Sequence, residues 1–468
     1  MKKFLITGFL IITIVIFAGF NSEYNTNKTK SSHASNLTID EIWDPAAVNF
    51  DIDALEIFNG SIELDTLLQL GSKIFEAKFN KKDGAGRPAS TGDSKPTPRS
   101  KDYDVGLTRI SGPDAAACSS CHNQPKIGGS GDFVANAFVG AHFLSKPSNS
   151  IEARLTNERN TTSLFGSGIV EALTKEMTLD LQSLRDRALI ESNSLQQDVV
   201  VQLQTKGIDF GEITVKPNGY IDFAKLEGLD YDLVVRPFGT KGIAASIREF
   251  TTAALNQHHG IQPIERFGWE RTGIHDFDSD GVTNEMSIGN LTALVLFQAT
   301  LPPPLPKKSL TAQEKLGSQI FEKIKCGDCH KPSLILNETD LFFPNRYNRP
   351  GNLSPSHVSD SFKIQVVKNK EVKVYSDFKR HNLCDEEINH FCNETIKQDN
   401  VDTKLFLTSK LWDLATSAPY GHRGDLMTIS ETILAHGGEA RQHREKFIEL
   451  TDNEKERLIL FLMTLGSG

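Results

Sequence analysis

The spacing of apolar and polar positions along the chain predicts helices more than strands. Residues 70–76 (LGSKIFE) and 316–322 (LGSQIFE) match at six of seven positions, and their Gly and Phe spacing suits an amphipathic helix with one buried face. The stretch DNEKERLILFLMTL near the C-terminus reads as a further amphipathic helix packed into a core. PFGTKGIAASIRE (237–249) and PYGHRGDLMTISE (419–431) each read as a glycine turn opening a helix. Ser246 or Thr428 would be the N-cap, with Glu249 or Glu431 three residues on. Strand-like stretches are short, and ITVKP and FKIQVVKNKEVKVYS are the best hairpin candidates. The fold class expected is mainly α with minor β.

One apolar run differs from the rest. Lys2 and Lys3 precede FLITGFLIITIVIFAGF (4–20), and a polar stretch follows. A basic start, an apolar centre and a polar end form a secretory signal. The run is a little short of the ~20 residues of a spanning helix. Without a clean small-x-small cleavage site, an uncleaved N-terminal anchor is the alternative. Residues 1–35 are therefore read as a signal peptide or anchor plus polar tail, and the rest as a soluble periplasmic protein. Its net charge of −9 argues against nucleic acid as a partner, because such proteins carry a basic footprint.

The 468 residues include only six cysteines, too few to staple a chain of this length. Four fall in two identical patterns, Cys118-Ser-Ser-Cys121-His122 and Cys326-Gly-Asp-Cys329-His330. This spacing is the attachment signature of c-type haem. Two thiols add to the two vinyl groups, and the adjacent His122 or His330 reaches the iron from the proximal side. Cys384 and Cys392 are close enough in sequence for a local disulfide in an oxidising compartment. No cysteine is then left for thiol chemistry.

The paired patterns extend to an internal duplication. Each half has a helix, a haem pattern, a P-[FY]-G turn, a second helix and a His-Gly: His258-His259-Gly260 in the first, His436-Gly437 in the second. TSLFGSG (162–168) and TSKLWDL (408–414) are a weaker echo. LPPPLPKKS (301–309) reads as a stiff linker. The expected domains are 36–300, with an insertion at 178–235, and 307–468. Their corresponding places nominate His259 and His436 as distal haem ligands. His142 competes for the first haem, and His422 and His381 for the second. Asp276, Asp278 and Asp280 alternate before a glycine, with Glu285 following, which suggests a calcium loop over 276–285.

The stretches TSKLWDLATSAPYGHRGDLMTISETILAHGGEA and LNQHHGIQPIERFG…DFDSDGVTNE…LTALVLFQATLPPP resemble bacterial di-haem oxidoreductases, relatives of the bacterial di-haem cytochrome c peroxidases. The resemblance covers most of residues 60–468 and is strongest after 230. It implies two cytochrome-c-like domains, an N-terminal haem that meets peroxide, a C-terminal haem that relays electrons, and calcium near the domain interface. In those relatives a distal ligand follows the His of a turn by the interval that separates His422 from His436. They often carry Met there, so His436 implies a lower-potential haem. Where they carry a Glu-Met-Gly whose Glu handles peroxide protons, this chain has His258-His259-Gly260. That departure leaves His258 as the candidate acid–base residue. The function expected is a periplasmic oxidoreductase of peroxidase type. Its electron donor would be a small cytochrome or cupredoxin, and its oxidant one such as hydrogen peroxide. The alternative is a non-catalytic electron-transfer protein with both irons six-coordinate.

Overall fold

The computed structural model describes residues 45–85, 115–132, 134–137, 157–278, 280–338, 340–357, 362–366, 370–395 and 397–466. The N-terminal apolar run and His142 lie outside these residues. The main helices are α1 (Leu64–Glu76), α2 (Ser167–Leu195), α3 (Ile247–Ala254), α4 (Ile288–Thr300), α5 (Ala312–Lys323), α6 (Ile429–Leu434) and α7 (Asp452–Leu462). The protein is mainly helical, with short strands between the helices.

The duplication is visible as two equivalent helix crossings. α1 packs on α4, and α5 packs on α7. A Cβ at Gly71 would stand 2.1 Å from Ala293 O and 2.8 Å from Phe297 Cβ. At Gly317 it would stand 2.0 Å from Arg457 O and 2.7 Å from Phe461 Cβ. In both crossings a missing side chain lets two backbones touch, one turn before a phenylalanine. α5 and α7 begin with reciprocal capping boxes, Thr311–Glu314 and Thr451–Glu454, which satisfy otherwise unpaired amides.

The turn repeat holds to the residue. Phe238 bridges Ala244, and Tyr420 bridges Leu426. Ser246 Oγ accepts from Glu249 N at 3.0 Å, and Thr428 Oγ1 accepts from Glu431 N at 3.1 Å. α3 and α6 therefore start in the same way.

The strands are local and antiparallel. β1 (Val134–Ala137) pairs with β2 (Asn157–Asn160). β3 (Val199–Thr205), β4 (Ile208–Val215) and β5 (Ile221–Leu226) form a meander after the long α2. ITVKP contributes to β4. The stretch 362–376 is not a hairpin. Its two strands join separate ribbons: β6 (Leu334–Ile335) pairs with β9 (Glu371–Val372), and β7 (Asp340–Phe343) with β8 (Phe362–Gln365). Alternation identifies a strand, but its partner depends on what packs beneath it. β10 (Arg380–Asn382) pairs with β11 (Leu405–Leu407).

The described residues from 46 onward form a single compact unit. One large apolar core joins Ile74, Phe75, Leu173 and Leu294 with Leu334, Leu341, Val374 and Trp412, on both sides of the 301–309 segment. A second core gathers Ile320, Phe321, Phe447, Leu458 and Phe461 around the α5–α7 crossing. Leu301 O accepts from Gly166 N at 3.0 Å, and Thr464 O accepts from Lys307 N at 3.1 Å, so the linker is packed against the chain at both ends.

Candidate haem sites

The first cysteine pattern lies against a small cavity. Cys118, Cys121 and His122 line one side, α1 contributes Phe75, α3 contributes Phe250 and Ala254, and α4 contributes Gln298. Most of the lining is apolar. Burial, reinforced by Cys121, pushes the Cys118 thiol up to about 12, so it stays protonated.

Across the cavity the chain departs from plain helix. After α3, residues Leu255–His259 form a π-helical turn closed by Gly260 at φ +79. Such turns insert a residue into a helix and recur at functional sites. This one puts both His258 and His259 on the cavity wall. His259 is buried; its Nδ1 donates to Ala115 O at 2.6 Å, and Nε2 faces Cys118 Sγ at 3.6 Å. His258 is half-buried and close enough for its charge to oppose one on His122.

The ring orientation recurs at the other candidate ligands. Nδ1 of His122 donates to Gly129 O (3.3 Å), that of His330 to Tyr375 O (3.0 Å), and that of His436 to Thr432 O (2.7 Å). A carbonyl can only accept, so each ring holds its proton on Nδ1 and keeps the lone pair on Nε2. This is how proteins orient histidines that bind a metal through Nε2. Burial pushes His122 and His330 down to about 4, which keeps both neutral, as iron ligation requires. His436 adds to the effect on His330 by opposing its charge, and is itself lowered by burial. The second site also has Phe321 edge-on to Tyr375. Burial holds Cys326 as a thiol, pushed up to about 12. Two thiols beside a neutral imidazole, with a second imidazole nearby, fit covalently attached haem at both places.

Two competitors are occupied elsewhere. His381 has Nε2 2.9 Å from Asp377 and Nδ1 2.7 Å from Glu439, so neither nitrogen offers a lone pair. His422 is buried between Phe391 and Phe406, and its Nε2 accepts from the Asn393 amide at 2.7 Å. Burial, with Arg159 and Arg423 nearby, pushes it down to about 2. Cys384 and Cys392 are joined as a disulfide.

Asp276, Asp278 and Asp280 converge, with carboxylate oxygens within 4.8 Å of one another. Burial and Asp276 raise the pKa of Asp280, as expected where like charges crowd. The converging set is these three aspartates. Glu285 Oε2 instead accepts the backbone N–H of Gln262 at 2.6 Å, because its side chain turns toward the segment after the π turn.

Residues 261–465 match the family model described as "Di-haem oxidoreductase, putative peroxidase". That span, a little under half of the chain, is similar to this family. It takes in Cys326–His330, His436 and the aspartate cluster, and begins just after His259. No curated protein matches the chain. Among solved structures, hydrazine synthase of Kuenenia stuttgartiensis is 14% identical and covers 85% of this chain and 92% of its own, with a TM-score of 0.35. A MauG-like protein associated with microbial copper homeostasis is 17% identical over 54% of this chain and 76% of its own, with a TM-score of 0.26. Both scores are low, and neither likeness bears on fold or function here.

Several groups around the sites leave no signal in the sequence. The π turn, the His381 ion pairs and the carbonyls of Ala115, Gly129 and Tyr375 all depend on chain segments meeting in space. The hydrogen-bonded carbonyls would have been invisible to any motif, since every residue carries one.

Proposed function

We propose that the chain is an exported di-haem c-type oxidoreductase of peroxidase type, built from two related haem-binding halves, 36–300 and 307–468. The repeated Nδ1–H to carbonyl bond on His122, His259, His330 and His436 carries this reading, together with the two cysteine patterns and the family match over the second half. Cys118 and Cys121, and Cys326 and Cys329, would anchor the two haems. His122 and His330 would bind iron on the proximal side, with His259 and His436 opposite. Bound there, haem supplies one-electron chemistry at a potential tuned by its axial ligands.

The surrounding residues do the rest. Gly129 O and Tyr375 O hold the proximal rings in the ligating tautomer. Phe75, Phe250 and Ala254 exclude water from the first cavity. Electrons from a small cytochrome or cupredoxin would enter at the C-terminal site and be passed to the N-terminal one. There an oxidant such as hydrogen peroxide would take up two electrons and two protons to give two waters. His258, on the cavity wall, is the residue that would move those protons. Asp276, Asp278 and Asp280 would hold calcium ahead of α4. Residues 1–35 direct the chain to the periplasm, with membrane attachment only if they are retained.

The burial of His259 favours a second reading, a non-catalytic electron-transfer protein with both irons six-coordinate. Electron paramagnetic resonance of the resting and half-reduced protein, followed by peroxide turnover with reduced cytochrome, separates the two. A high-spin or peroxide-reactive iron after one-electron reduction supports the enzyme. Two low-spin irons indifferent to peroxide overturn it.

A further inference from the structure

His381 lies at the edge of the C-terminal site, held between two carboxylates. Its Nε2 is 2.9 Å from Asp377 Oδ2 and its Nδ1 is 2.7 Å from Glu439 Oε2. An acceptor on each nitrogen requires a proton on each, so the ring is an imidazolium. Burial opposes that charge, but hydrogen bonds with Asp377, Cys329 and Glu439 outweigh it and push His381 up to about 12. Asp377 is buried, and Cys329 Sγ, Asp377 and His381 place their polar atoms within 4.8 Å of one another. Cys329 is one of the two proposed attachment thiols, so this charge lies beside the point where the haem would be attached.

The other end of the ion pair leads to the distal side. Glu439 stands three residues after His436, in the short turn Gly438–Ala440. Its second oxygen accepts Asn382 N at 2.8 Å. Gly438 N donates to Asp385 Oδ2 at 2.8 Å. Gly438 has φ +53, and a Cβ there would stand 2.2 Å from Asn382 O, so only glycine lets the two backbones approach this closely. The turn after His436 is thus tied to residues 381–385, where the disulfide loop begins.

We propose that His381 is a positioning residue of the C-terminal haem site: clamped between Asp377 and Glu439, its fixed positive charge ties the His436 turn to the Cys329 attachment point and raises that site's reduction potential. The proposal rests on the reading of Cys326–His330 as a haem site. The physical reason is Coulombic. A cation near the iron disfavours the more positive ferric state, and in a poorly screened interior the effect is felt beyond contact distance. The two carboxylates act in the opposite sense, so removing the cation and removing an anion should move the potential in opposite directions. A purely structural brace predicts no such reversal.

The test is a potentiometric titration of the purified two-haem protein and two variants, His381→Gln and Glu439→Gln, with low-spin signals recorded alongside. His381→Gln should shift the C-terminal haem to lower potential and weaken the low-spin signal that depends on His436. Glu439→Gln, which keeps an oxygen able to accept from Asn382 N, should shift the same haem to higher potential. The N-terminal haem should not move in either. The clamp is overturned if both variants retain two haems and the C-terminal potential stays put, or if both shift the same way. Should His381→Gln fail to fold, an unshifted or lowered potential in Glu439→Gln overturns it alone. If peptide mapping of the unaltered protein finds no haem on Cys326 and Cys329, the site reading itself is wrong and the proposal falls with it.

Discussion

The two halves share a scaffold and differ on the distal side. Each crosses two helices at a glycine, Gly71 over Ala293 and Gly317 over Arg457. Each opens its second helix from the same bridged turn. Beyond that point they diverge. In the first half, His259 follows the cap residue Ser246 by 13 positions, through α3 and a π turn. In the second, His436 follows Thr428 by 8 positions, after the short α6. The first histidine takes its orienting bond from Ala115, far away in sequence, and shares its cavity with His258. The second takes it from Thr432 in the helix just before it, and the chain after it is clamped by Glu439 and Asp385. A repeated framework can therefore hold one site open to two imidazoles and brace the other around one.

The largest test of the shared scaffold is covalent. Cys326→Ala and Cys118→Ala should each remove one haem of two, read as pyridine haemochrome per chain. Retention of both haems in either variant would break the equivalence of the halves. Next comes ligation. His436→Ala should convert one iron to high-spin in the electron paramagnetic resonance spectrum. His259→Ala should alter only the other iron, and a His258→Ala variant that changes ligation instead would exchange the roles of the two neighbours.

A smaller effect probes the crossings. Gly71→Ala and Gly317→Ala should each destabilise by about 1–3 kcal/mol through overpacking, measured as denaturation midpoints at constant slope. Similar losses would sharpen the comparison, and a neutral substitution at one site would show that its crossing can relax. The smallest expected change concerns a device that, among the described residues, only the first half carries. If Asp276, Asp278 and Asp280 hold calcium, a chelator should lower the melting temperature by a few degrees, and calcium should restore it. No shift on chelation would remove that ion from the picture.

Short-range chemistry was legible in the sequence. A haem attachment pattern is five residues long, a disulfide loop nine, and a capping box four, so local spacing states the geometry. The repeats LGSKIFE and LGSQIFE pointed to matching helices for the same reason: the glycine and phenylalanine occupy one helix face whatever lies opposite. His381 was a reasonable ligand candidate on sequence alone, since a motif shows that an imidazole is present but not which atoms it meets. The expected hairpin over 362–376 fails on similar grounds: each strand pairs with a segment that precedes residue 344.

By itself, then, the sequence carried the two Cys-x-x-Cys-His patterns, the disulfide, the caps and the repeated helices and turns, because each rests on residues within a few bonds or turns of one another. Only the tertiary structure decided which imidazoles keep a lone pair on Nε2, that a π turn brings His258 and His259 to one cavity, and that His381 stands as a cation between Asp377 and Glu439. Those properties depend on carbonyls and carboxylates from distant parts of the chain. Their contact is set by how apolar faces pack, which local spacing does not encode.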